Sequence, residues 1–170
     1  MSSTEAGTAS STEVAELSTI DMALEVVTLP VSDVDRAKRF YQSLGWRLDV
    51  DLVISDEIRN VQMTPPHSQC SIHFGKGITP MEPGSVDRLY LAVKDIDAAR
   101  EDLVSRGVDV SEVEEQPKPP GFPDLPGRSY FAYASFSDPD GNTWVLQEIT
   151  TRIPGRERRR TWRSGSASWH

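Results

Sequence analysis

Leu29-Pro30-Val31-Ser32-Asp33-Val34-Asp35-Arg36-Ala37-Lys38 returns, 62 residues later, as Leu91-Ala92-Val93-Lys94-Asp95-Ile96-Asp97-Ala98-Ala99-Arg100, and Gly45 returns at the same offset as Gly107. In both copies an apolar stretch runs into Asp-[Val/Ile]-Asp. A repeat of this size means two copies of one supersecondary unit, paired because neither buries its apolar side alone. Two open units that face each other make a cleft. Function is therefore expected on the residues that line it.

The local chemistry of the repeat is legible. Val26, Val27 and Thr28 lie within a β-forming run, Leu24 to Val31, which reads as a strand. Asp33 is placed to cap a helix, its carboxylate accepting from the free amides of the first turn. Val34, Ala37, Phe40, Tyr41 and Leu44 then recur at spacings of three and four, the apolar stripe of a helix. Gly45 stands where a left-handed C-terminal cap is wanted. Three strands follow, over Trp46 to Val53, Glu57 to Thr64 and Cys70 to Gly75. The second copy reads the same way. A strand over Arg88 to Val93 leads to Asp95, a helix with Ile96, Ala99 and Leu103 on its apolar side, and Gly107. Strands are then expected over Val108 to Val113, Tyr130 to Phe136 and Thr143 to Ile149. The last two are joined by Asp138-Pro139-Asp140-Gly141-Asn142, where glycine admits the positive φ of a tight turn.

The fold class is thus α+β: two βαβββ modules, approximately residues 22–80 and 85–150, forming one domain over 22–150. The flanks differ from it. Residues 1–21 are rich in Ser, Thr, Ala and Glu and carry no lysine or arginine. This composition cannot offset chain entropy, so a disordered arm is expected. It lacks the basic start and apolar run of a secretory signal. Residues 151–170 hold six arginines against the single acid Glu157, and read as a basic, flexible tail. The whole chain carries a formal charge of −8. Its acidic body argues against nucleic acid as a partner. No run is long enough to span a membrane. The lone cysteine, Cys70, excludes an internal disulfide and fits a cytoplasmic location. One stretch breaks the symmetry. Residues 114–128 contain five prolines and two glycines, a loop by composition. It reads either as a lid using Phe122 and Leu125 or as a surface excursion packed on itself.

The paired modules, the Val-x-Asp-[Val/Ile]-Asp helix start in both, Phe40-Tyr41 in the first helix and Phe136-Ser137-Asp138-Pro139-Asp140-Gly141-Asn142 before the last strand resemble the vicinal oxygen chelate superfamily. That group includes glyoxalase I, bleomycin-resistance proteins and extradiol dioxygenases. The resemblance covers about residues 22–150. It implies that each module's sheet curls into a half-barrel around the cleft, and that the chain forms a homodimer. It implies no single activity, because the superfamily holds metal enzymes and metal-free binding proteins.

Metal-dependent members place a His early in the first strand of each module and a Glu, Gln or His in the last strand of each. Carried onto this chain, those positions are Val26, His73, Arg88 and Val145. Two valines cannot ligate, an arginine repels a cation, and one imidazole holds a metal poorly. The family ligand set is not kept and no cofactor is expected, although a divalent ion on an atypical ligand set stays open to the enzyme alternative.

Alternation assigns what lines the cleft instead. Val27, Leu29, Ile72, Phe74, Leu89, Leu91, Val93, Trp144 and Leu146 form the core face. Val26, Thr28, Ser71, His73, Arg88, Tyr90, Val145 and Gln147 form the other. This apolar-to-polar lining, with one cation, one imidazole and one phenol, suits an uncharged-to-anionic organic ligand with a ring or acyl body. Arg88 is either an anchor for a carboxylate or phosphate, or a strand-end charge paired with Asp87 or Asp97. His73 is either a general base or a half-buried imidazole held by a neighbour. The expected function is a metal-free small-molecule-binding protein. The alternative is a lyase or isomerase using His73 with Arg88 and Tyr90.

Overall fold

In the computed structural model, which describes Glu16 and residues 18–156, the two repeats fold into two copies of the same unit. Module one comprises β1 (Val26–Thr28), α1 (Val34–Ser43), β2 (Arg47–Val53), β3 (Arg59–Thr64) and β4 (Ser71–Lys76). Module two comprises β5 (Leu89–Val93), α2 (Ile96–Ser105), β6 (Glu114–Glu115), β7 (Ala132–Ser137) and β8 (Thr143–Glu148). Their sheets have matching orders, β1-β4-β3-β2 and β5-β8-β7-β6. The first strand pairs in parallel with the last, and all other neighbours are antiparallel. The expected arm over 1–21 and tail over 151–170 fall largely outside the described residues.

The helix starts behave as their sequence requires. The Asp33 carboxylate accepts from the Arg36 amide at 2.9 Å, and Asp95 accepts from the Ala98 amide at 3.0 Å. Gly45 and Gly107 take φ values of 80° and 86° just past the helix ends, a conformation that costs other residues a Cβ clash. The helix sides of both sheets share one core. Leu29, Tyr41, Val61, Ile72 and Phe74 of module one pack in the same cluster as Ile96, Leu103, Phe136, Trp144 and Leu146 of module two. Leu89, Leu91 and Val93 pack against it half-buried.

The junction is aromatic and polar at once. The rings of Tyr41 and Trp46 lie 6.1 and 5.1 Å from that of Trp144. The buried Asp138 carboxylate accepts from Tyr41 Oη at 2.9 Å and from Asn142 Nδ2 at 2.8 Å, while Asn142 Nδ2 also donates to the Pro30 carbonyl at 2.9 Å. Trp144 Nε1 donates to Tyr41 Oη at 3.1 Å. Burial, and then the Asp138 charge, push the Tyr41 phenol far above its ordinary pKa, which keeps it a donor. The Asp-Pro-Asp-Gly-Asn turn therefore does more than reverse the chain: it fastens module two to module one.

One expectation needs correction. Residues 108–113 are not a strand, and the ladder instead starts at Glu114. Arg100 Nε takes the Ser111 carbonyl at 2.7 Å, and the Ser111 hydroxyl takes the Ser135 amide at 2.9 Å, so the reciprocal backbone pairing is interrupted. Residues just past 150 contact the domain. Ser129 Oγ donates to the Thr151 carbonyl at 2.8 Å, and Ile153 packs on a satellite cluster of Leu125, Tyr130 and Phe131.

Candidate functional site

The register of module two sets its open face. Tyr90 lies beside Val145, Val145 beside Ser135, and Tyr133 beside Glu114. A cavity of about 730 Å³ lies against module two, lined by residues of this face and also by Ala134 and Phe136 of the core face. Arg88 and Asp87 stand on its β5 side, Asp109 and Glu114 on the opposite side, and Val145 and Ser135 between them; Phe40 reaches in from α1.

Arg88 is held in an unusual way. Its backbone adopts φ 61°, a region that costs non-glycine residues about 1 kcal/mol or more. Its amide donates to Thr143 Oγ1 at 2.7 Å, and that hydroxyl donates to Asp87 Oδ1 at 2.5 Å. The guanidinium lies over the Tyr90 ring, 5.9 Å from Cζ to centroid, and Nη2 donates to Tyr90 Oη at 3.0 Å. Of the two acids expected as ion-pair partners, Asp87 serves Thr143 and Asp97 serves Arg128. Among the described residues the Arg88 guanidinium has no carboxylate partner, so most of its donors are open to other acceptors; Arg88 lines the cavity, whereas Tyr90 does not.

Gln147 is on the same face, with Nε2 donating to the Tyr130 carbonyl at 3.0 Å, but it does not line the cavity. Phe122 is elsewhere. Its ring packs 4.8 Å from Phe131 and 5.9 Å from Tyr130 in the satellite cluster. Arg128 fastens the same proline-rich segment to Glu148 at 3.0 Å and Glu115 at 2.9 Å, and also binds Asp97. The aromatic contacts of this loop are made away from the cavity, while Glu114 and Gln116 at its start line the cavity.

Val26, Thr28, Ser71 and His73 share the open face of module one. Thr28 Oγ1 and His73 Nε2 are hydrogen-bonded at 2.5 Å, and Ser71 Oγ meets Thr64 Oγ1 at 2.7 Å. Burial lowers the His73 pKa, so the ring is neutral near pH 7. Burial also raises the Cys70 thiol, which makes it a poor nucleophile. None of these residues lines the module-two cavity. Within the chain the modules share a core on their helix sides; His73 stands on β4 of module one, and Arg88 and Tyr90 stand at and on β5 of module two.

The sequence family described as Glyoxalase/Bleomycin resistance protein/Dioxygenase superfamily matches residues 23–146. The chain belongs to that superfamily. No curated relative matches. Among solved structures, the antibiotic binding protein TnmS3 from Streptomyces sp. CB03234 is 32% identical, with a TM-score of 0.59 over 78% of this chain and 99% of that one. A glyoxalase/bleomycin resistance protein from the same organism is 32% identical, with a TM-score of 0.56 over 74% and 99%. A superfamily member from Sphaerobacter thermophilus DSM 20745 is 30% identical, with a TM-score of 0.57 over 75% and 98%.

The metal that some members of the superfamily carry does not fit the residues at the four corresponding positions here. Val26 and Val145 offer only hydrocarbon, Arg88 brings a positive charge, and His73 Nε2 is engaged by Thr28. Among the described residues no group of three His, Cys, Asp or Glu side chains is gathered to hold an ion. Sequence reasoning missed Asp109, Glu114 and Ser135 as cavity residues. Alternation along β7 could have found Ser135, two residues from Tyr133. Asp109 falls in the segment expected as a strand over 108–113, and Glu114 opens the segment expected as a proline-rich loop.

Proposed function

We propose that this superfamily member is a metal-free small-molecule-binding protein that holds an organic ligand, with a ring or acyl body and an anionic group, in the module-two cavity. The observation that carries this reading is Arg88: a cation without a carboxylate partner, kept at the cavity wall by a strained backbone and by Tyr90, beside the apolar Val145. A charge so placed gives an anionic group orientation as well as affinity. The 32% identity to an antibiotic binding protein supports sequestration as the role. The lyase or isomerase reading through His73 finds no support in this cavity, because His73 stands on the other sheet.

We further propose a cytoplasmic homodimer. The single cysteine supports a reducing compartment. Leu52, Val53 and Ile54, 53%, 65% and 61% exposed along and just past the edge strand β2, support a partner copy. Among the described residues no helix is long and apolar enough to cross a membrane.

The test uses chelator-treated protein and an anionic aromatic probe, 8-anilinonaphthalene-1-sulfonate, followed by fluorescence. Saturable binding unchanged by added zinc or magnesium, and weakened at least about tenfold in Arg88→Asn, is expected, since a charge-assisted hydrogen bond contributes about 1.5–3 kcal/mol. Stoichiometric metal uptake that protects the fold from heat, or probe binding that survives the substitution, overturns the reading.

A further inference from the structure

We propose that the module-two cavity takes an amphoteric ligand, with an acid group at one end of its body and a protonated amine at the other. The proposal rests on the anion-anchoring reading of Arg88 and adds the opposite pole. Arg88 stands on the β5 side of the cavity, and Asp109 and Glu114 stand on the β6 side. In the order β5-β8-β7-β6 three strand-to-strand steps separate those walls, about 14 Å at ~4.8 Å each.

The acidic wall is not neutralised internally. Glu112 is paired with Arg100 at 2.7 Å, and Glu115 with Arg128 at 2.9 Å. Asp109 and Glu114, which line the cavity, have neither an ion-pair nor a hydrogen-bond partner among the described residues. On the other wall Asp87 is turned to Thr143 and lies outside ion-pair distance of the Arg88 guanidinium. The cavity therefore carries an unpaired guanidinium at Arg88, with the Thr143-bound Asp87 beside it, across from the two unpaired carboxylates of Asp109 and Glu114, with Val145 and Ser135 between.

That polarity selects by sign and by length. A purely anionic ligand long enough to fill the cavity brings its far end against Asp109 and Glu114. A purely cationic one meets Arg88. An α-amino acid carries both charges but one carbon apart, too close to reach both walls. A ligand with its charges at opposite ends of an apolar body satisfies both and binds in one direction only.

Three matched probes test this: biphenyl-4-carboxylate, 4-phenylbenzylamine, and 4′-(aminomethyl)biphenyl-4-carboxylate, titrated at low ionic strength against the full chain. The amphoteric probe is expected to bind about five- to tenfold tighter than the acid alone, the gain that two exposed carboxylates supply together at low ionic strength. In D109N/E114Q, checked by its melt, the ratio should fall close to one. In E114K it should invert, with the acid alone preferred. If the amine adds nothing, or its gain survives D109N/E114Q, the proposal is overturned while Arg88-dependent binding of the acid stands. If the folded protein binds none of the three, the Arg88 reading and this proposal fail together.

Discussion

Asp138→Ala is the substitution through which the junction between the modules is most directly measured. Asp138 Oδ2 accepts from Tyr41 Oη and Asn142 Nδ2, and Oδ1 accepts from the amides of Asn142 at 2.9 Å and Asp140 at 3.0 Å. Alanine removes all four acceptor contacts. The Asp140 amide, half-exposed in the turn, can recover a water. The Tyr41 hydroxyl and Asn142 side chain, both buried, cannot do so without opening the junction. Each buried donor left unpaired costs about 1–3 kcal/mol, and the lost bonds were to a charged group. A total of about 3–5 kcal/mol is expected, placing the substitution in the severe class. For a chain of this size that lowers the melting temperature by roughly 6–20 °C. Urea unfolding followed by tryptophan fluorescence suits the question, because Trp46 and Trp144 flank Tyr41. Tyr41→Phe is the graded companion. It leaves Trp144 Nε1 without its acceptor but retains three donors on Asp138, so about 1–2 kcal/mol is expected. A loss below 1 kcal/mol for Asp138→Ala, or one no larger than that of Tyr41→Phe, would refute the claim that this carboxylate fastens the modules.

Arg88→Asn separates binding from folding. Asparagine tolerates φ 61° better than arginine, a relief of about 1 kcal/mol, while loss of the Arg88–Tyr90 contact costs about 0.5–1 kcal/mol. Urea melts should therefore nearly coincide, whereas a drop beyond about 2 kcal/mol would make Arg88 a structural residue. His73 predicts a pH effect. Its folded pKa lies below the ordinary 6.5 because of burial, so between 6.5 and the folded value the unfolded chain binds a proton that the folded chain resists. Stability contributed above 6.5 is lost as pH falls through that window. His73→Gln should lose less melting temperature than the parent between pH 7.5 and 5.5, and equal losses would contradict the burial argument. Ending the chain at Thr150 instead of Arg156 should cost about 1–3 kcal/mol, because Ile153 packing and the Thr151 contact to Ser129 are removed. Indistinguishable melts for the two lengths would put the domain boundary at 150.

The fold was legible because its signals are local and repeated. Asp33 and Asp95, Gly45 and Gly107, and the three-and-four spacing of Val34, Ala37 and Tyr41 each specify a backbone state without reference to distant residues. Alternation placed Ile72, Phe74, Trp144 and Leu146 in the core for the same reason. The site was less legible because it depends on how the modules meet. Nothing within either repeat says that Tyr41, Trp46 and Trp144 draw the helix sides of the two modules together. The segment over 108–113 has strand composition. A side-chain hydroxyl from Ser111 and a guanidinium from Arg100, contacts set by tertiary position, interrupt its ladder. Phe122 illustrates the same limit: a proline-rich loop with an aromatic residue says that a packing partner exists, not which surface provides it.

The central claim is that an anionic organic ligand sits in module two against Arg88, without metal. It is tested most directly by titrating chelator-treated, ¹⁵N-labelled protein with biphenyl-4-carboxylate and mapping amide and arginine side-chain shifts. The expected result is saturable change at Arg88, Thr143, Val145 and Ser135 with His73 and Thr28 unmoved, and the same map after magnesium or zinc is added. Shifts centred on His73 and Thr28, or binding that begins only once a divalent ion is supplied, would contradict it.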